Sequence, residues 1–300
     1  MIEIQKAVTH NGTFHPDDVF SAALLTKLYP EIEITRTRDP DIIAAADLVF
    51  DVGRMYDSAT LRFDHHQPGA PVRENNIAYS AFGLLWLKYG VQFCDGDEQV
   101  AGAVATRLVQ VVDANDNGTA ISQPVMEGVR PYEIFDVLYQ ENPLFDSGED
   151  YDEQYGEAVA LGRKILDRLV LYERSVIRMR HYFNEQVASA KDKRFVVLDK
   201  PGDYKSLAAG HDALLYFIAP DAANDTWGVT AVSRSDSAFD LKYPLPEDWA
   251  GLEGQELAEA TGVPDATFCH LKRFYAVAKT KGGAERLLRL ALPAEDEVEL

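Results

Sequence analysis

The stretch IEIQKAVTHNGTFHPDDVFSAALLTKL, residues 2–28, decides the reading of the fold. Its opening apolar run predicts a strand from Ile2 to Thr9, and the periodicity after Pro16 predicts a helix from Asp17 to Leu28. Between them lies a polar turn dense in histidine and aspartate. Working outward, short apolar runs from Glu31 to Thr35 and from Asp47 to Val52 predict two more strands, with helical sequence between them. Strand, helix, strand, helix, strand is the rhythm of a parallel α/β sheet with crossover helices. Open parallel sheets bind ligands beyond the carboxyl ends of their strands, so the chemistry is sought there. Covering helices are expected from Ser80 to Tyr89 and from Glu98 to Val112. The polar stretch from Asn117 to Gln123 and the acidic one from Glu141 to Asp152 place a boundary or long insertion in that interval. One long amphipathic helix, or two stacked, follows from Tyr155 to Val187. Strands near Phe195, Leu214, Thr226 and Thr267, with helices from Glu253 to Thr261 and Gly283 to Ala291, predict a second, smaller α/β domain. The acidic tail from Ala294 is expected to fray.

The chain has 300 residues, enough to bury a substantial core as one large domain or two ordinary ones. Its two cysteines, Cys94 and Cys269, lie far apart, which excludes a disulfide framework and an all-thiolate metal site and fits a reducing cytoplasm. No apolar run approaches the roughly 18 residues a membrane span requires, and the opening residues lack the pattern of a secretory signal. A cytoplasmic protein without a membrane partner is therefore expected. Lysine and arginine number 29 against 49 acids, a net charge of −20 that repels polyanions. Long duplex DNA is not an expected partner, and any phosphate-bearing substrate needs local charge reversal. There is no Walker loop, no Gly-x-Ser-x-Gly elbow and no Rossmann glycine fingerprint.

Of seven histidines, four, His10, His15, His65 and His66, fall in the first 66 residues beside a dense set of aspartates. Three clusters follow predicted strands: His10 to Asp18, Asp51 to Gly53, and Asp64 to His66. A fourth acid set, Asp113 to Gly118, follows the apolar run from Leu108 to Val112. Any one of these alone reads as a turn or a helix cap. Four together at strand ends favour ligation, and imidazole with carboxylate but no thiolate suits manganese or magnesium. Pro16 at a helix opening leaves His15 and Asp17 at a strand-to-helix turn, able to face one ion each. A carboxylate delivered by a neighbouring strand, Asp51, can bridge two ions about 3.5–4 Å apart.

These residues resemble a known family. THNGTFHPDD, TRTRDP (35–40), DVG (51–53), DHH (64–66), VDANDNG (112–118), LPEDWAGLEGQELAEATGVPDATFCH (245–270) and KTKGGA (279–284) look like the MYG (melanocyte proliferating gene) family, a branch of the DHH phosphoesterase superfamily, over nearly the whole chain. The resemblance implies a DHH-type metal-binding catalytic domain over residues 1–145, a helical connector over 146–190 and a substrate-binding α/β domain over 191–300. It implies two divalent cations, manganese first and magnesium second, and a metal-activated water attacking phosphorus in line, as in a 3′–5′ exoribonuclease. Carried over position by position, His10, His15 and Asp51 would hold one ion, and Asp17, Asp51, His65 and Asp113 the other. Asp116 competes with Asp113, which is favoured because it ends the apolar run. Asp64 would orient the histidines and His66 would act on the scissile phosphate or the leaving group. The chain departs from the family where Pro16 stands for a common Cys and where Ala276-Val277 replace an expected glycine pair.

Arg36 and Arg38 lie just after a predicted strand, where alternation would point both to the same side, and phosphate contact and surface salt bridges weigh about evenly for them. His270, Lys272 and Arg273, interleaved with Phe274 and Tyr275, form the most basic patch and could stack a base and pair a phosphate. Short RNA is the expected substrate. A small phosphoester such as a dinucleotide or pyrophosphate-like compound is the alternative, a metal- or nucleotide-binding protein without turnover a further one. A homo-oligomer is compatible with either.

Overall fold

The structure is a computed structural model that describes residues 4–234 and 240–294. The start of the first expected strand and the tail from residue 295 lie outside the described residues. Two compact units divide the chain, residues 1–177 and 178–300.

In the first unit the order is β1 (Lys6–Thr9), α1 (Pro16–Leu28), β2 (Glu33–Arg36), α2 (Pro40–Ala45), β3 (Leu48–Phe50), β4 (Tyr56–Asp57) and β5 (Arg62–Phe63). There follow α3 (Ala81–Phe93), α4 (Glu98–Val104), a π-helical turn over Ala105–Val109, α5 (Gln110–Asp116), α6 (Ile134–Tyr139) and α7 (Tyr151–Ser189). The sheet runs β2-β1-β3-β5-β4, parallel except for the edge strand β4. The chain leaves β1 for β2 on one side and then returns to β3 on the other. That reversal opens a crevice at the carboxyl ends of β1 and β3, the switch point where such sheets bind ligands.

Pro16 starts α1 where a missing N–H costs nothing, and Asp17 and Asp18 sit in its first turn, where the helix dipole favours negative charge. Every residue from Pro16 to Leu25 is buried, as expected for a helix apolar on most faces. Phe20 stacks on Phe82 of α3, with ring centroids 5.4 Å apart, inside the main core. Tyr155, Leu166 and Val170 of α7 join the same core. The long apolar-periodic stretch is thus one helix rather than two.

The second unit takes the last turns of α7 and then β6 (Phe195–Val197), α8 (Lys205–Ala209), β7 (Tyr216–Asp221), β8 (Thr226–Ala231), α9 (Gly254–Thr261), β9 (Ala266–Cys269), β10 (Tyr275–Ala278) and α10 (Lys281–Ala291). Its sheet runs β6-β7-β8-β10-β9, with β6 and β7 parallel and the other pairs antiparallel. Leu257, Leu287 and Leu288 from α9 and α10 fill one core of this unit, and Phe183, Tyr204 and Phe217 another. Both units are α/β, as the strand and helix periodicities predict. Cys94 and Cys269 are free and buried. No helix of the described residues is long and apolar enough to cross a membrane.

Candidate metal centre

Three parallel strands deliver the centre. His10 follows β1 directly, Asp51 follows β3 and Asp64 follows β5, so all three side chains stand at one sheet edge. The loop that carries His10 is tied down from several sides. Asn142 accepts from the Phe14 N–H and donates to the Phe14 carbonyl, while the Arg36 guanidinium donates to the Gly12 carbonyl.

Asp51 occupies the middle. Its Oδ2 lies 3.2 Å from His10 Nε2, and His10 Nε2 lies 2.9 Å from Asp18 Oδ2. Its Oδ1 lies 3.3 Å from His65 Nε2, and that nitrogen lies 3.2 Å from Asp116 and 3.9 Å from Asp17. The two oxygens of one carboxylate thus face two groups of donors, which is the placement a bridging ligand needs. Among the described residues the donor atoms of His10, Asp18 and Asp51 cluster within 4.8 Å of one another, as do those of Asp17, His65 and Asp116, and those of Asp51, Asp64, His65 and His66.

Burial, helped by Asp51 and Asp116, pushes the Asp17 carboxyl well above its usual range. Burial also raises Asp18, and it raises Asp116 against the pull of His65. For Asp51, burial raises the carboxyl, but hydrogen bonds from His10 and His65 outweigh it and hold it at about 2. The same contacts with Asp18 and Asp51 overcome burial at His10 and raise it to about 10. No donor reaches either oxygen of Asp17, which is completely buried. Buried charges left so are costly by several kcal/mol per ion unless a counter-ion resolves them. The oxygen and imidazole donors, with no thiolate among them, fit hard or borderline divalent cations.

Asp64 organises the turn after β5. Its Oδ1 accepts from the N–H groups of His65 and His66 and lies 2.7 Å from His66 Nδ1, while its Oδ2 accepts from the Arg54 N–H. The His66 side chain is 54% exposed, and its bond to Asp64 raises its pKa. A cavity of about 1290 Å³ opens over this edge, lined by His10, His15, Asp51, His66, Asp116 and Arg38 among others.

Several expected residues sit elsewhere. Asp113 is completely buried, pairs with Arg73, and accepts from the N–H and hydroxyl of Ser80 and the N–H of Gly83. The apolar run before it is helical, so the rule that a ligand ends a strand does not apply, and the last residue of α5, Asp116, reaches the centre instead. His15 caps α1, is exposed and lines the cavity, with its ring 5.8 Å from that of His10, but it belongs to none of the three donor groups. Asp18, which sequence reasoning passed over, takes the place beside His10. The adjacent acids in the first turn of a wholly buried helix were the available signal, because neither could face solvent.

Arg36 does not reach the cavity. Its side chain is 3% exposed, stacks 4.5 Å from the Tyr155 ring centroid and pairs with Asp152, which makes it a structural clamp. Arg38 lines the cavity and is held by the Asn11 carbonyl and side chain. His270, Lys272 and Arg273 form the turn between β9 and β10, where His270 Nδ1 accepts from the Lys272 N–H and Arg273 takes a left-handed conformation, φ 58°. Ala276 and Val277 lie within β10, with Ala276 fully buried.

Fold and centre together define an α/β protein with an acid and imidazole centre at a topological switch point. A family model described as "Uncharacterised protein family (UPF0160)", and labelled for a MYG1 exonuclease, matches residues 6–292. The chain is 31% identical over 331 residues to a "MYG1 exonuclease" of Homo sapiens, covering 95% of this chain and 85% of that one. It is 32% identical to a "MYG1 exonuclease" of Bos taurus, covering 95% and 84%, and 32% identical to a "MYG1 protein" of Chlamydia trachomatis serovar D, covering 97% and 98%. The chain belongs to the MYG1 family.

Proposed function

We propose that this chain is a divalent-metal-dependent phosphodiesterase that works as a 3′–5′ exoribonuclease on short RNA. The observation that carries this reading is the convergence of His10, Asp17, Asp18, Asp51, His65 and Asp116 on one sheet edge, with the buried Asp17 oxygens lacking any donor. The names of the human and bovine relatives support the choice of nuclease chemistry. His10, Asp18 and Asp51 would hold one cation, with His15 at its margin, and Asp17, Asp51, His65 and Asp116 the other. Manganese is the first choice and magnesium the second. Bound there, the ions lower the pKa of a water and neutralise charge on the non-bridging phosphate oxygens.

The chain's own residues do the rest. Asp64 fixes the tautomer and direction of His66 by taking its Nδ1 side, which leaves Nε2 for the leaving oxygen. The same bond raises the His66 pKa and so favours the imidazolium, whose Nε2–H is placed to give a proton to the departing nucleotide. Arg38 contributes positive charge to a cavity whose lining includes Asp51, Asp64, Asp116 and Asp136. In this reading residues 1–145 are catalytic, 146–190 connect, and 191–300 contact substrate through the basic turn at His270 to Arg273. The protein works in the cytoplasm.

The test is hydrolysis of short oligoribonucleotides in manganese buffer, compared with dinucleotides. Stepwise loss of residues from the 3′ end is expected. Activity confined to dinucleotides would make the chain a small-molecule phosphoesterase, and no turnover of any phosphoester, nitrophenyl esters included, would leave a binding protein.

A further inference from the structure

We propose that Arg54 binds a phosphate flanking the scissile one, so that the preferred substrate of this centre carries at least two consecutive phosphodiester links. The proposal rests on the phosphodiesterase reading above and deepens it by naming what the cavity holds beyond the reacting phosphate. Arg38 and Arg54 are the arginines that line this cavity, and no lysine lines it. Arg54 is exposed, and among the described residues its guanidinium has no ion pair and no hydrogen bond. Arg36, Arg73, Arg107 and Arg174 each face a carboxylate, and Arg38, the other arginine of the cavity, is held by Asn11, whereas Arg54 stands at the cavity without such a partner. A permanent cation left unpaired in a cavity lined by Asp51, Asp64, Asp116 and Asp136 is a place for an anion brought from outside.

The backbone gives an independent reason. Asp51, Gly53 and Arg54 take left-handed conformations, with φ of 53°, 94° and 55°. Such a conformation suits glycine and is strained for arginine, and strain of this kind collects at functional sites. The Arg54 N–H is anchored on Asp64 Oδ2, the carboxylate that also holds His66. One loop therefore fixes the bridging carboxylate at one end and the free guanidinium at the other. Ions at the centre would neutralise the scissile phosphate alone. The next phosphate along the strand lies beyond them and needs a protein cation, for which a guanidinium offers a two-pronged match.

The experiment is equilibrium binding of the full chain, in calcium buffer, to a uridine dinucleotide with one phosphate and a uridine tetranucleotide with three. Arg54→Gly removes the charge while suiting the left-handed backbone. It is expected to weaken tetranucleotide binding roughly tenfold, to flatten the slope of log K against log salt by about 0.7, and to affect the dinucleotide much less. Arg54→Lys should keep the salt slope. Unchanged tetranucleotide affinity and slope in Arg54→Gly would overturn the proposal. Equal losses on both ligands would also overturn it, by placing Arg54 on the scissile phosphate. Failure of the parent chain to bind either ligand would instead refute the phosphodiesterase reading on which the proposal stands.

Discussion

Asp51 gives one oxygen to the His10 and Asp18 side and the other to the His65 and Asp116 side. Asp51→Asn removes the charge shared by both groups, so manganese binding, read by calorimetry, should fall at both positions and turnover should be lost. Two ions bound with parent affinity would contradict a bridging role. His66 stands apart from this, because its ring is half exposed and its inward nitrogen is already taken by Asp64. His66→Ala should therefore keep the metal and slow turnover by about 10²–10⁴-fold, the usual worth of a positioned proton donor. Metal content and kcat measured on the same sample separate the two variants. His10, Asp17, Asp51 and His65 could be read from the sequence because three of them adjoin apolar runs and the fourth opens a helix. Asp18 could not, because whether it or His15 turns toward His10 depends on how α1 is buried.

At the scale of elements, α5 reaches the centre only because it is pinned to the start of α3. Gly83 of α3 leaves room for the Asp113 carboxylate, and a Cβ there would fall directly against it. The donors on Asp113 are the Ser80 N–H and hydroxyl, the Gly83 N–H and the Arg73 guanidinium, which stacks 3.8 Å from the Tyr79 ring centroid. Gly83→Ala should displace Asp113 and cost about 1–3 kcal/mol, the penalty of a buried group losing its partners. Because Asp116 ends the same helix, manganese affinity should fall with stability. A lowered denaturation midpoint with unchanged metal affinity would show that α5 holds Asp116 without this clamp. The helix register explains why Asp113 looked like the ligand. Two aspartates three apart on a helix carry the same chemistry, and only the packing of α5 on α3 says which is sequestered.

For the whole molecule the centre sets how stability depends on pH. Asp17, Asp18 and Asp116 have folded pKa values raised above their unfolded ones, and so do His10 and His65. A raised folded pKa stabilises fully below the unfolded value, and the contribution is lost as pH rises through the folded value. Asp51, depressed to about 2, works oppositely, but its contribution is lost only as pH falls toward 2. Chelator-treated protein should therefore have a lower Tm at pH 8 than at pH 5, at about 2–4 °C per kcal/mol for a chain this large. Saturating manganese should reverse that order, because the ion competes with the protons and is bound only by the folded chain. Equal Tm values at both pH values without metal would mean that the acids of the centre are not destabilising it.

Local periodicity determined the α/β class and the first three strands of the parallel sheet, since each depends on residues close in sequence, while the two-residue strands β4 and β5 are too short to show a period and the stretch from Tyr155 read equally as one helix or two. It also placed imidazole and carboxylate at strand ends, which named the chemistry. The tertiary structure decided which of those groups meet. Asp116 rather than Asp113 comes to His65, Asp18 comes to His10, and Arg36 turns away to Tyr155 and Asp152. Each choice is made by burial against an element distant in sequence, where a carboxylate or guanidinium must find a partner and the packing settles which one.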